Sequence, residues 1–308
     1  MNTKIQSSVI HGLREAARVL LNEPLNKYTT FKTGGPADIL AFPESPDQLS
    51  AVLKIARENG LPCMVMGGGS NLLVSDAGVR GMVVRVCDDA GGAALRVDGP
   101  GLVYADASVK KKTFIDFCLD SGYGGVEFMA GIPGVLGGGI VMNAGTTMGN
   151  FVSILKKIDC ISDGGDVVAL QVTDNMAAYR KFLLPPGTII TGALYAVPEC
   201  GDTASARKAI DDILRDRESK HPLDYPSAGS VFKNPEGHSS WQLIQQAGLK
   251  GKRVGGAMIS EKHTNFIINA GNATSRDIRD LIDLVREEIF KKFAIELEPE
   301  VKMVGSFD

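Results

Sequence analysis

Several signatures of common chemistry are missing from these 308 residues. No GxGxxG follows a strand-like run, so the usual dinucleotide fingerprint is absent. There is no GxxxxGK[ST] phosphate loop and no GxSxG nucleophile elbow. The five cysteines, Cys63, Cys87, Cys118, Cys160 and Cys200, stand at least 24 positions apart, and no CxxC occurs. That argues against a zinc ribbon or a thioredoxin-like pair. An odd, scattered set suits a reducing cytoplasm, where the protein is expected. The four histidines, His11, His221, His238 and His263, have no metal-ligand spacing, and no metal is expected. No stretch reaches 18 apolar residues, and "MNTKIQSSVIHGLREAARVLL" has no apolar core leading to a cleavage site. Neither a membrane span nor a signal peptide is expected. A net charge of −3 provides no broad basic surface, so no nucleic-acid partner is expected.

What the chain has in excess is glycine: 36 residues, ten of them between Gly122 and Gly149. That is about 12% against roughly 7% in average proteins. The glycines are not periodic. At such density they mark tight turns, or backbone passing close to a ligand. A hydrophobic content of 44% and a charged content of 22% are those of a folded globular protein, and the length allows two or three domains.

Along the chain, the spacing of Val9, Leu13, Ala16, Ala17 and Leu20 predicts an amphipathic helix over 9–21. "SPDQLSAVLKIARENG" predicts another, with Ser45 as N-cap, Pro46 at its first position and Gly60 closing it. "PCMVMGGGSNLLVSD" then reads as strand, glycine turn, strand, which makes an α/β arrangement with a ligand-ready loop. Short strands follow in "MVVRV", "ALRVDG" and "LVYADAS". A helix at 110–121 turns Phe114, Phe117 and Cys118 inward. "KKIDCISDGGDVVAL" predicts a hairpin about Asp163-Gly164-Gly165, and "TIITGALYAVPE" a further strand. A polar surface helix is expected at 203–219. "KHPLDYPSAGSVFKNPEG" is turn-rich and could mark a domain junction. The last helix carries Ile278, Leu281, Ile282, Val285, Ile289 and Phe293 on one stripe, with Thr274 and Asp277 close to a capping box.

Two glycine loops, one polar stretch and two single residues carry the possible chemistry. "MGGGSNLLVS" places Gly67, Gly68, Gly69, Ser70 and Asn71 straight after a strand. Successive backbone N–H groups there can form an anion nest for a pyrophosphate, or simply a β-turn. "AGIPGVLGGGIVMNAG" repeats the theme without a charge, as a flat wall for a large planar cofactor or as packing against another domain. "GSVFKNPEG" puts Ser230, Lys233 and Asn234 together, either as a polar clamp on a ligand or as a capped turn. Arg180 and Glu300 read by themselves as surface groups.

The order of these stretches resembles the UDP-N-acetylenolpyruvoylglucosamine reductases of peptidoglycan synthesis. The matching segments are "TTFKTGGPAD", "GGGSNLLVSD", "GIPGVLGG", "MNAG", "YR", "SAGSVFKNP", "AGLKG", "HTNFIIN" and "LEPEV", spread over about 270 residues. Each is weak alone; nine in order are specific. The compact spacing after "YR" is similar to the shorter subgroup, which lacks a tyrosine-bearing substrate loop. The resemblance implies an α+β fold: a two-part FAD-binding region of the vanillyl-alcohol-oxidase type plus a smaller α+β substrate domain. Its parts would be 1–86 with 295–308 returning to it, 87–218, and a substrate domain at 219–294.

The resemblance also implies a cytoplasmic flavoprotein oxidoreductase of cell-wall biogenesis, with non-covalent FAD and NADPH as electron donor. Hydride would pass from reduced FAD to the enolpyruvyl β-carbon of UDP-N-acetylglucosamine enolpyruvate. Protonation of the α-carbon by Ser230 then gives UDP-N-acetylmuramate, needed for cell shape and division. Arg180 and Glu300 complete the implied catalytic set. Cofactor contacts fall on Gly67, Gly68, Gly69, Ser70, Asn71, Gly131, Ile132, Pro133, Gly134, Asn143, Ala144 and Gly145. Substrate contacts fall on Tyr179, Lys220, Lys233, Asn234 and Gln246. The only implied partner is the UDP-sugar, and a monomer is expected. The chain reads "YRKF" where the family usually has "YRxS", and "NAGTTMGN" for "NAGAYG". An FAD-dependent oxidase of the same fold group, or a nucleotide-binding module without chemistry, are the alternatives. With only His11 in the N-terminal half, a histidine tether to flavin is not expected.

Overall fold

A computed structural model describes residues 6–87 and 92–307. The chain divides into two compact units: Met1–Leu21, Ile39–Gly68 and Gly81–Arg215 form the first, and Asn22–Asp38, Gly69–Arg80 and Asp216–Asp308 the second.

The first unit holds two apolar cores. In one, helix α1 (Ser7–Ala16) turns Val9 and Leu13 inward, and helix α2 (Pro46–Glu58) turns Leu49, Val52, Leu53 and Ala56 inward. The sequence signals for α2 all operate: the Ser45 hydroxyl accepts from Gln48 N at 3.2 Å, Pro46 sits at the first position, and Gly60 has φ 58°. The strand Cys63–Met66 follows, parallel to the strand that ends at Arg85, with Cys63 facing Met82 and Met66 facing Arg85.

The helix expected over 9–21 is shorter than its periodicity suggests. It stops at Ala16, Ala17 is fully extended, and Arg18 begins a strand running to Pro24. The side chains explain the break. Val19 packs on the α2 core, and the Arg18 guanidinium lies 3.7 Å over the Phe42 ring. Tertiary partners that favour an extended chain outweigh a weak local helical preference.

The second core of this unit is built on a five-stranded antiparallel sheet in the order 167–171, 155–161, 189–196, 102–106, 95–99. Ile158 faces Ala193, and Ala193 faces Ala105, on the buried side. The hairpin about Asp163-Gly164-Gly165 joins the first two strands, and Gly165 takes φ 92°. Helix α3 (Lys111–Asp120) buries Phe114, Ile115, Cys118 and Leu119 on this sheet, with Phe117 partly covered. The short helix α4 (Leu136–Val141) lies beside it. Helix α5 (Thr203–Lys220) has no buried residue, as its polar sequence predicts.

In the second unit, helix α6 (Ser240–Gln246) and helix α7 (Ser275–Phe293) cover a three-stranded sheet of 253–254, 257–259 and 267–269. Ile278, Leu281, Ile282, Val285 and Ile289 of α7 are buried, and Phe293 is partly so. Its start is fixed twice. Thr274 and Asp277 form a complete capping box, and the Asp76 carboxylate accepts from Ser275 N and Arg276 N at 2.9 Å each. The C-terminal strand Lys302–Val304 runs parallel to Leu72–Val74.

Candidate functional site

In the first unit the two glycine loops meet. A side chain at Gly68 would bring its Cβ to 3.0 Å from the Gly134 Cα, and one at Gly67 to 2.6 Å from Val135 Cγ2. Only glycine permits this approach. Gly131 and Gly134 take φ 71° and 92°, left-handed backbone that favours glycine at both positions. The loop's carbonyls are engaged: Gly134 O accepts from Lys111 N at 3.3 Å, and Pro133 O and Val135 O accept from Lys111 Nζ at 2.8 and 3.0 Å. Among the described residues none accepts from the N–H of Gly131, Gly134 or Val135. Beside them lies a cavity of about 310 Å³, lined by Gly68, Ile132, Pro133 and Gly134 and by three cations, Arg85, Lys110 and Lys112. Amides without a described acceptor, no room for side chains and a cationic rim suit an anionic nucleotide cofactor. FAD, with its diphosphate, fits this donor set.

The "MNAG" stretch is held by hydrogen bonds of its own. Asn143 is buried with φ 37°; its Oδ1 accepts from Val152 N at 3.1 Å and its Nδ2 donates to Ala178 O at 3.3 Å. The side-chain amide therefore ties the loop to the strand just before Tyr179-Arg180. Ala144 N donates to Gly139 O at 2.8 Å. Gly145 O accepts from Arg180 Nη1 at 2.9 Å. Tyr179 and Arg180 form the two-residue turn between the paired strands 177–178 and 181–182. Arg180 has φ 57°, a left-handed conformation that a non-glycine residue adopts at a cost. Its guanidinium lies 5.3 Å from the Tyr179 ring centroid, and that ring is exposed. Phe182, where the family pattern has serine, is buried in the sheet core. Thr146 Oγ1 accepts from Met148 N at 3.2 Å, and Met148 is exposed.

The second unit holds the other predicted residues. Gly229 takes φ 78° and delivers the chain into Ser230. Residues 231–233 then pair with 298–300: Glu300 N donates to Val231 O at 2.7 Å, Lys233 N to Glu298 O at 3.0 Å, and Phe232 bridges Pro299. The serine and glutamate segments are thus neighbours in one short ladder. Lys233 Nζ meets Glu298 Oε1 at 2.6 Å, with the lysine 17% exposed and the glutamate 68%. Asn234 Oδ1 accepts from Ser240 N at 3.0 Å, at the start of α6. Asn71 joins this unit: its Nδ2 donates to Glu300 O at 3.0 Å, and its own carbonyl accepts from Lys302 N at 2.9 Å. Gly69 takes φ 65°, and its carbonyl accepts from Thr30 N at 3.2 Å; Ser70 follows it. Lys220 ends α5 in an exposed pair with Asp216 at 2.6 Å. Gln246 ends α6, exposed.

Two positioning residues escape a reading of motifs alone. Asn265, inside "HTNFIIN", is buried and bonds both the N–H and the carbonyl of Phe232. Lys111, inside a run of three lysines, is 4% exposed. A polar residue within an apolar run, and a lysine in phase with Phe114 and Cys118, are the signals that mark them.

Comparison with known proteins agrees with this geometry. The family described as "FAD binding domain" matches residues 37–171, and "UDP-N-acetylenolpyruvoylglucosamine reductase, C-terminal domain" matches 221–304. Solved structures of alkyldihydroxyacetonephosphate synthase share the fold at a TM-score of 0.50 and 14% identity, over 64% of this chain and 41% of theirs. The class is therefore an α+β protein with an FAD-binding region of the vanillyl-alcohol-oxidase type and a smaller C-terminal α+β domain.

Closer relatives narrow it. The UDP-N-acetylenolpyruvoylglucosamine reductase of Moorella thermoacetica is 42% identical over 289 residues, 94% of each chain. That of Alkaliphilus oremlandii is 39% identical over 93% of each. The crystal structure of the Thermus caldophilus enzyme superposes with a TM-score of 0.78 at 32% identity, covering 94% of this chain and 99% of that one. The chain belongs to the UDP-N-acetylenolpyruvoylglucosamine reductase family.

Proposed function

We propose that this protein reduces the enolpyruvyl ether of UDP-N-acetylglucosamine enolpyruvate to UDP-N-acetylmuramate, with FAD as cofactor and NADPH as electron donor. The reading places it in the cytoplasm, at a step of peptidoglycan precursor synthesis, as a monomer. Bound FAD supplies the hydride. The chain's residues must hold the cofactor, hold the substrate carboxylate, and deliver one proton.

Gly67, Gly68, Gly69, Ser70 and Asn71, with Gly131, Ile132, Pro133 and Gly134, are assigned to the cofactor; among the described residues the N–H groups of Gly131 and Gly134 have no acceptor, which supports that assignment. Asn143, Ala144 and Gly145 shape that wall and seat the Arg180 turn. Hydride addition to the β-carbon leaves negative charge shared between the α-carbon and the adjoining carboxylate. Arg180 answers that charge, because a guanidinium stays protonated and offers two parallel donors. Ser230 gives its hydroxyl proton to the α-carbon, and the carbanion formed there is a base strong enough to take it. Glu300 lies one ladder position from the serine segment and orients the same carboxylate through a shared proton. Tyr179, Lys220, Lys233, Asn234 and Gln246 are assigned to the substrate. The parts at 1–86 with 295–308, 87–218 and 219–294 are assigned to the two halves of the flavin region and to the substrate.

The observation that carries this reading is the bond from Glu300 N to Val231 O at 2.7 Å, which sets the acid and hydroxyl segments side by side. The test separates the half-reactions of the Ser230→Ala protein. NADPH should reduce its flavin at the wild-type rate, while reoxidation by the UDP-sugar slows by roughly 10²–10⁴-fold. Unchanged reoxidation would remove Ser230 as the proton donor. Reoxidation by oxygen alone in the wild-type protein would favour an oxidase.

A further inference from the structure

Lys111 is the first residue of α3 and is 4% exposed. Both facts are unfavourable for a cation. Burial removes its hydration, and a helix N-terminus carries partial positive charge of its own. Burial lowers its pKa to about 7. Among the described residues no carboxylate pairs with it. Its ammonium donates to Pro133 O at 2.8 Å and Val135 O at 3.0 Å, and lies 6.0 Å from the Phe151 ring centroid. The surrounding chain makes room for it. A Cβ at Gly139 would fall 2.9 Å from Lys111 Cε.

A lysine kept under a glycine loop, with carbonyls as its described partners, polarises that loop. Pro133 O and Val135 O are drawn toward the ammonium. Gly134 O is held on the same side by Lys111 N at 3.3 Å. With the carbonyls occupied, the N–H groups of Gly134 and Val135 have no acceptor among the described residues. Two neutral carbonyls take two of the ammonium's three donors and leave the charge it carries below about pH 7 uncancelled. We propose that Lys111 is a positioning residue for FAD: it fixes the carbonyls of the Gly131–Val135 loop inward and adds its charge beneath the amide face that receives the cofactor's diphosphate. The role rests on this loop being part of the flavin cradle.

The apoprotein and FAD test it directly. Lys111→Met replaces the unbranched stem by one of the same four atoms and removes the charge and the donors. FAD binding followed by flavin fluorescence should weaken by about tenfold or more, since two charge-assisted bonds and an anion's counter-charge are lost. The melting temperature of the apoprotein should stay level or rise, because a buried cation has been replaced by an apolar group. In Lys111→Ala, n-propylammonium should restore FAD affinity and n-propanol should not. Wild-type affinity in Lys111→Met would overturn the role, and so would equal rescue by the alcohol, which shows packing alone. Wild-type apoprotein that takes up no FAD would instead overturn the cradle, and the lysine's role with it.

Discussion

The side chain of Asn265 stands in for a neighbouring strand at Phe232: its Oδ1 accepts from Phe232 N at 3.0 Å, and its Nδ2 donates to Phe232 O at 2.8 Å. The backbone carbonyl of Asn265 also accepts from Val231 N at 2.8 Å. On its other side the same segment meets residues 298–300. Ser230 therefore hangs from a backbone held on both sides. Asn265→Ala would leave a buried N–H and a buried carbonyl unpaired, at about 3 kcal/mol. Asn265→Asp should not restore it, because a carboxylate keeps the acceptor but repels the carbonyl. Denaturant unfolding of both variants checks this; wild-type midpoints would refute it.

Arg180 should not tolerate lysine. A single ammonium cannot reproduce two parallel donors on a carboxylate. Arg180→Lys should lower the rate of flavin reoxidation by the UDP-sugar by about 100-fold or more and leave FAD affinity unchanged. Stopped-flow absorbance and a flavin titration read the two quantities separately.

Neighbouring glycines in α4 should respond with opposite signs. A Cβ at Gly138 meets nothing within 4 Å, whereas one at Gly139 would lie 2.3 Å from Phe151 Cζ. Gly138→Ala should stabilise by about 0.5–1 kcal/mol through lost chain entropy in the unfolded state. Gly139→Ala should destabilise by about 1–3 kcal/mol through overpacking. Thermal unfolding of the two proteins decides.

The fold should weaken in mild acid through His221. Burial, then the positive charges of Arg217, His263 and Lys220, lower its pKa from 6.5 to about 4, with Asp216 opposing. The neutral ring lies 5.0 Å from the Phe266 ring and 5.2 Å from His263. Because the folded pKa is depressed, the unfolded chain takes up the proton first. The contribution is present above pH 6.5 and is lost as pH falls toward 4. His221→Phe should lose less stability than the wild type between those values, measured as denaturant midpoints; parallel losses would refute it.

Local signals were enough where physics is local. Ser45, Pro46 and Gly60 bound α2, Thr274 and Asp277 start α7, and Asp163-Gly164-Gly165 turns a hairpin. The glycine runs marked backbone that approaches closely, as Gly68 does at Gly134, because a side chain has no room there. Residues 17–21 are extended where their spacing predicts helix, because an apolar stripe is common to a helix and a strand, and the Phe42 ring that holds Arg18 is distant in sequence.

The sequence by itself determined the family, the order of the elements and the residue types available for binding an anion and moving a proton. Tertiary structure decided which polar groups hold the frame. Asn143 and Asn265 spend their amides on backbone, Lys233 meets Glu298, and Lys111 turns inward while Lys112 pairs with Asp116 at 2.6 Å on the surface. The reason is physical. A side chain's role depends on the dielectric around it and on partners distant in sequence, and neither is set by its immediate neighbours in the chain.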